Sequence, residues 1–176
     1  SEVIDYVGGL KDLEILKINM IGNPSERFEE DPVRMIRAVR FQAKLNAKIE
    51  PELIKAIQKK SHLLANIPPA RLYEEVIKLF HNENSIVIFH ELFKLGLLKH
   101  LFSQTEENSF VTAALINTSD RIKSGNSVTP AFLFAVFLWS ALNKRLSQID
   151  KKNKSRIELM LEASEYVIKQ QTQQVM

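Results

Sequence analysis

The sequence has no cysteine, which excludes a disulfide framework and any thiolate-bound metal. Five glycines and six prolines in 176 residues are too few for a fold rich in hairpins and tight turns, so helices joined by short connections are expected. No apolar run is long. The longest, Ala131–Leu142, has twelve residues, against the roughly twenty that a membrane-crossing helix requires, and it reads as a buried helix. The four histidines, His62, His81, His90 and His100, show no H-x-x-x-H spacing, so no metal site is expected in this chain and the histidines read as surface or satisfied core residues. The N-terminus lacks the basic start and apolar centre of a secretory signal, and with the absent cysteine this predicts a cytoplasmic protein with no membrane partner. Ser rather than Met in first place predicts a processed chain or a piece of a longer one.

What is present is globular composition, 45% apolar and 26% charged, which excludes disorder for most of the chain. Basic residues exceed acidic ones by 24 to 21, an excess that permits a polyanionic partner without requiring one.

Residues 1 to 29 hold three of the five glycines, Gly8, Gly9 and Gly22, and read as a connector with turns. From Glu29 the spacing turns helical. Met35, Ile36, Val39 and Ala43 form an apolar face of a helix expected over 29–46. A second helix should open at Pro51 and bury Leu53, Ile54 and Ile57, with a short extra turn over 61–66. Pro68-Pro69 forces an extended link, because a residue before proline avoids the α region, and marks a boundary. Beyond it Leu72, Val76, Leu79 and Phe80 predict a helix over 70–80, followed by helices near 83–94, 108–123, 130–146 and 152–174. Gly96 should stop the first of these, and Thr129-Pro130 should open the third as cap and first-turn proline. No stretch alternates with period two for long enough to build a sheet, so the fold class is all-α.

The informative run is Glu29 to Phe41. At 100° per residue, Glu30, Asp31, Arg34, Arg37 and Lys44 share the face opposite the apolar one, with Arg40 at its edge. Such a face can be simply solvated, with Asp31 and Arg34 forming a local ion pair. It can also do chemistry. Aspartate only accepts hydrogen bonds and arginine only donates them, so the pair matches an edge that offers an amino group beside a ring-nitrogen acceptor. Adenine and cytosine present that edge, whereas guanine and uracil present a carbonyl and a ring N–H and would leave like facing like.

Three motifs in order, Asp5-x-x-Gly8-Gly9-x-x-Asp12-Leu13, Ile21-Gly22-Asn23-Pro24-x-x-Arg27-Phe28 and Glu30-Asp31-Pro32-x-Arg34-x-x-Arg37-Ala38-x-Arg40-Phe41, make the sequence resemble the class II nucleotidyltransferases, which comprise bacterial poly(A) polymerases and tRNA CCA-adding enzymes. The resemblance implies a chain divided into the end of a catalytic head and hinge (1–28), a neck with the base-reading helix (29–67) and a helical RNA-binding body (68–176). It implies that Asp31 and Arg34 read the incoming base, with Glu30 and Arg37 in the same motif, and that Asp5 and Asp12 belong to the hinge. Ile67-Pro68-Pro69-Ala70-Arg71-Leu72-Tyr73-Glu74-Glu75 is similar to a further family motif whose Arg and Glu brace that helix, here Arg71 and Glu75. The wording of these motifs and of Thr129–Ala135 is nearer the poly(A) polymerase branch, which adds AMP from ATP to RNA 3′ ends; a CCA-adding enzyme or a non-enzymatic helical RNA-binding module are the alternatives. Asn19 stands where the family commonly has Arg. The family's metal-binding Asp-x-Asp pair and Gly-Gly-Ser loop are absent from the sequence, so magnesium is expected only in a head outside this chain, and this chain alone is expected to be inactive.

Other residues admit simpler readings. Lys59-Lys60, Lys99-His100, Lys144-Arg145 and above all Lys151, Lys152, Lys154 and Arg156 are candidates for RNA phosphates or are solvated charges. Phe132, Phe134, Phe137 and Trp139 are expected in the core. Glu74-Glu75 and Glu106-Glu107, taken by themselves, read as helix-surface charges.

Overall fold

A computed structural model describes residues 3–149 and 155–173. The described residues form ten α-helices and one 3-10 turn: α1 (Gly9–Glu14), α2 (Pro24–Glu30), α3 (Val33–Leu45), α4 (Pro51–Lys60), the 3-10 turn (Ser61–Asn66), α5 (Pro69–Phe80), α6 (Ser85–Lys94), α7 (Leu98–Leu101), α8 (Ser109–Lys123), α9 (Pro130–Gln148) and α10 (Arg156–Gln173). The fold is all-α apart from one small pairing. Strands β1 (Lys17–Ile18) and β2 (Lys48–Ile49) lie parallel, with Lys17 opposite Lys48 and Ile18 opposite Ile49, and tie the N-terminal segment to the end of α3. No helix among the described residues is long and apolar enough to cross a membrane.

The apolar stripes read from the sequence face inward. Met35, Ile36 and Val39 of α3, Leu53 and Ile57 of α4, and Leu72, Val76, Leu79 and Phe80 of α5 are buried, in one cluster that runs from Phe28 to Phe137. Helix α3 lies against α5 and α6, α2 against α4, α6 against α8, and α10 against α9. Phe137 sits among the rings of Phe102, Phe80 and Phe89, at centroid distances of 4.4, 4.7 and 6.2 Å. The expected end signals operate: the Thr129 side chain accepts from the Phe132 N–H at the start of α9, and Gly96 turns the chain after α6 with φ 72°.

Four expectations need correction. The helix expected over 29–46 is two helices, because Asp31 precedes Pro32 and is pushed to φ −149° and ψ 94°, outside the α region. Residues 1–29 are more ordered than a connector, since they hold α1, β1 and most of α2. Phe132 and Trp139 are not in the core; they are 42% and 38% exposed, and Trp139 stacks on Phe110 at 5.7 Å. Glu75 is no surface charge: it is 3% exposed. The histidines divide. His62 and His90 are exposed and His90 pairs with Glu107 at 2.9 Å, whereas His81 and His100 each bury an Nε2 that has no partner among the described residues.

Candidate nucleotide-binding site

The site starts from how α2 ends. Asn23 Oδ1 accepts from the Ser25 N–H at 2.9 Å and Pro24 occupies the first turn, so α2 begins with a side-chain cap and a fixed φ. At its other end the proline restriction turns Asp31 out of the helix, and α3 starts two residues later. One carboxylate oxygen of Asp31 then accepts from the Val33 N–H at 3.3 Å. The other accepts from Arg71 Nη2 of α5 at 2.9 Å. The local Asp31–Arg34 ion pair therefore does not form.

Arg34 takes different partners. Its Nη1 donates to the Arg27 carbonyl and to Glu30 Oε2, both at 2.8 Å, while Arg27 Nη1 donates to the same Glu30 oxygen at 2.7 Å. The Arg34 hydrogen bond holds the Glu30 carboxyl below its ordinary range. Every hydrogen bond from the Arg34 side chain to a described residue passes through Nη1, so Nη2 and Nε keep donor capacity. Glu30 thus positions Arg34 from the preceding helix. The Arg27, Glu30 and Arg34 spacing of three and four residues is the sequence signal that would have found this arrangement.

Further along the same two helices, Arg37 Nη2 donates to Glu75 Oε1 at 2.7 Å. Lys78 Nζ reaches that oxygen at 3.3 Å, and Arg40 Nη1 stands 3.8 Å from Oε2. Burial pushes the Glu75 carboxyl up, but the bonds from Arg37 and Lys78 outweigh it and leave the carboxyl below its ordinary value; Glu75 in turn raises Arg37. Partners advance together along the helices, 31 with 71 and 37 with 75, so α3 and α5 run side by side in the same direction. Asp31 with Arg71, Glu30 with Arg34 and Arg37 with Glu75 form three successive pairs along one seam.

The other candidates lie elsewhere. Asp5 accepts from the Val7 and Leu10 N–H groups at 3.0 and 2.8 Å, bonds that lower its carboxyl and fix the turn into α1. Asp12 lines an open groove of about 570 Å³ with Lys17, Asn19, Phe41 and Leu45. Lys60 pairs with Glu29, and the Arg145 guanidinium lies 4.2 Å over the Tyr166 ring. Arg156 is exposed at the start of α10, while Lys151, Lys152 and Lys154 lie outside the described residues.

Residues 46–108 match the family described as "Probable RNA and SrmB- binding site of polymerase A". Over 161 residues the chain is 42% identical to poly(A) polymerase I of Salmonella typhi, a match that covers 86% of this chain and 35% of that protein. It is 42% identical over 100 residues to a CCA-adding enzyme of Ligilactobacillus salivarius, covering 57% of this chain and 25% of that one. A solved structure described as "tRNA-processing enzyme (apo form 2)" superposes with a TM-score of 0.66 at 23% identity over 96% of this chain and 48% of that one; at that identity the likeness shows the fold. The helical architecture is shared with that solved structure. By sequence, the chain is a relative of the bacterial poly(A) polymerase I and CCA-adding enzymes, and it spans about a third of the length of the poly(A) polymerases it matches.

Proposed function

We propose that this chain is the base-reading neck and RNA-holding body of a template-independent poly(A) polymerase that adds AMP from ATP to RNA 3′ ends in the cytoplasm. The observation that carries this reading is the 42% identity over 161 residues to poly(A) polymerase I. The site supports it: Asp31 is an acceptor held at a helix break, and Arg34 beside it keeps free donors, the complement of an adenine edge. In this reading residues 1–28 end a catalytic head, 29–67 form the neck and 68–176 the body, with Arg71 and Glu75 as supports and Arg156, with Lys151, Lys152 and Lys154, toward RNA. Magnesium, which the chemistry of the family implies, has no fitting donor set here: no three carboxylates or histidines gather among the described residues, and both Asp5 oxygens cap backbone amides. No step is assigned to a metal on this chain, and transfer by this chain alone is not expected.

The 42% identity to a CCA-adding enzyme favours a second reading, in which the same pair accepts CTP as well as ATP. Titration of the chain with ATP, CTP, GTP and UTP, followed by amide chemical shifts, separates the readings. ATP alone should perturb residues around Asp31 and Arg34, and Asp31→Ala should abolish the effect. Equal shifts with ATP and CTP would favour the second reading. Equal shifts with all four nucleotides, unchanged in Asp31→Ala, would leave a helical RNA-binding module with no base reader.

A further inference from the structure

Beyond Glu75 the seam between α3 and α5 runs out of acids. The last turns of both helices and the loop that follows α5 enclose an open cleft of about 500 Å³, lined by Arg40, Phe41 and Lys44 from one side and Lys78, His81 and Glu83 from the other. Three permanent cations face one exposed acid there. Glu75, the nearest other carboxylate, is already engaged by Arg37 at 2.7 Å and more loosely by Lys78 at 3.3 Å; the Lys78 side chain is half exposed and can turn to a phosphate. Arg40 is beyond hydrogen-bond reach of it at 3.8 Å, and its guanidinium lies over the Phe41 ring, 5.2 Å from the centroid. Lys44 is exposed and makes no ion pair or hydrogen bond with a described residue.

The cleft is also held in shape. Asn82 Nδ2 donates to the carbonyls of Lys78 and Leu79 at 3.1 and 2.6 Å, and Asn82 Oδ1 accepts from the Asn84 N–H at 2.8 Å. Those bonds cap the last turn of α5 and fix the loop that follows it. Helix α6 starts at the cleft's edge with Asn84 as its N-cap and no side-chain cap bond; of its first N–H groups, that of Ser85 donates to the Asn82 carbonyl at 3.3 Å.

We propose that this cleft holds a backbone phosphate of the RNA strand, with Arg40, Lys44 and Lys78 as its donors. The inference rests on the RNA-holding role proposed above and assigns that role a place. Lys78 and the 81–84 loop lie within the region matched at 46–108; Arg40 and Lys44 come from the base-reading helix outside it. At 1.5 Å per helical residue, Lys44 stands about 15 Å along α3 from Arg34. At roughly 3.4 Å per stacked nucleotide, that is about four nucleotides back from a 3′ end placed at the base-reading pair.

Fluorescence anisotropy of the chain with labelled octaadenylate, measured across a range of salt, tests the assignment. Lys44→Gln combined with Lys78→Gln should weaken binding about tenfold and lower the slope of log affinity against log salt by about 0.7, the release expected for one single-strand phosphate contact. On a diadenylate, too short to reach the cleft, wild type and variant should bind alike. Lys44→Glu alone, at an exposed residue, gives a second variant if the double change unfolds the chain, and Lys55→Gln, at a lysine paired with Glu52, is the control. Unchanged octaadenylate affinity and slope in the Lys44 and Lys78 variants would overturn the cleft and leave RNA holding intact. A wild-type chain that binds no RNA would overturn both. An equal loss of ATP affinity in the variants would assign the cations to a free triphosphate and overturn the RNA assignment.

Discussion

Arg71 reaches across forty residues of sequence to place its Nη2 2.9 Å from Asp31 Oδ2. The contact joins the first turn of α5 to the point where the chain breaks between α2 and α3, so the acid at the break is oriented from outside its own helix. A carboxylate oriented by a neighbouring helix has less freedom to lose when a ligand arrives.

Arg71→Gln is expected to reduce discrimination between ATP and GTP with little effect on folding. The pair is partly solvated, with Arg71 46% exposed, and exposed ion pairs contribute little to stability. Nucleotide titration alongside thermal melting checks this. A fall in melting temperature with unchanged discrimination would make Arg71 a purely structural partner, and Arg71→Lys should restore part of the discrimination if position is what matters.

Glu75→Gln should destabilise the chain by about 2 kcal/mol near neutral pH, since a charge-assisted bond becomes a neutral one. Arg37 and Lys78 are 39% and 50% exposed and can regain water, which keeps the cost below that of a fully buried pair. The sign with pH follows from the lowered carboxyl. Its contribution is complete above the ordinary value of 4.5 and is lost as pH falls through the lower folded value. Urea denaturation should therefore give a constant gap between wild type and variant from about pH 7 to about pH 5, closing below that. A gap that widens in acid would contradict the assignment of Glu75 as the ionised partner.

The inward stripe of Met35, Ile36 and Val39 was legible because burial and helical period coincide there, and the ends at Gly96 and Thr129 were legible because local backbone chemistry sets them. The break at Asp31 obeys the rule that marked Pro68-Pro69. It escaped because acids followed by proline also open helices, and the sequence does not say which side of Pro32 is already helical. Glu75 left a signal that went unused: it shares the stripe of Leu72, Val76 and Leu79, so it could be buried only with a partner. That the partner is Arg37, and that Arg71 meets Asp31, depends on α5 lying parallel to α3, which no local pattern encodes. The two-residue pairing of Lys17-Ile18 with Lys48-Ile49 is likewise too short to alternate.

Phe137→Ala is expected to cost about 4 kcal/mol, because the ring is fully buried among three others and its removal leaves a cavity that the helices cannot close. For a chain of this size that is a fall of roughly 12 °C in melting temperature. Trp139→Ala, two residues on but 38% exposed, should cost about 1 kcal/mol through its contact with Phe110. Equal losses in a melting comparison would mean that Trp139 is covered in solution.

Pro32→Ala tests whether the proline makes the break. The hydrogen bonds on either side are already helix-like: the Asp31 N–H donates to the Arg27 carbonyl at 3.2 Å and the Arg34 N–H to the Asp31 carbonyl at 3.2 Å. Without the proline ring, Asp31 is free to enter the α region, and α2 and α3 are expected to fuse, carrying the Asp31 carboxylate away from Arg71. The Asp31 Cα shift should move to a helical value, and the preference for ATP should fall while Arg34, still held by Glu30 one helical turn away, keeps its place. If Asp31 stays extended, the break is set instead by α2 packing on α4 and α3 packing on α5 and α6, and the proposed base-reading geometry is then a product of tertiary packing in which Pro32 only records the bend.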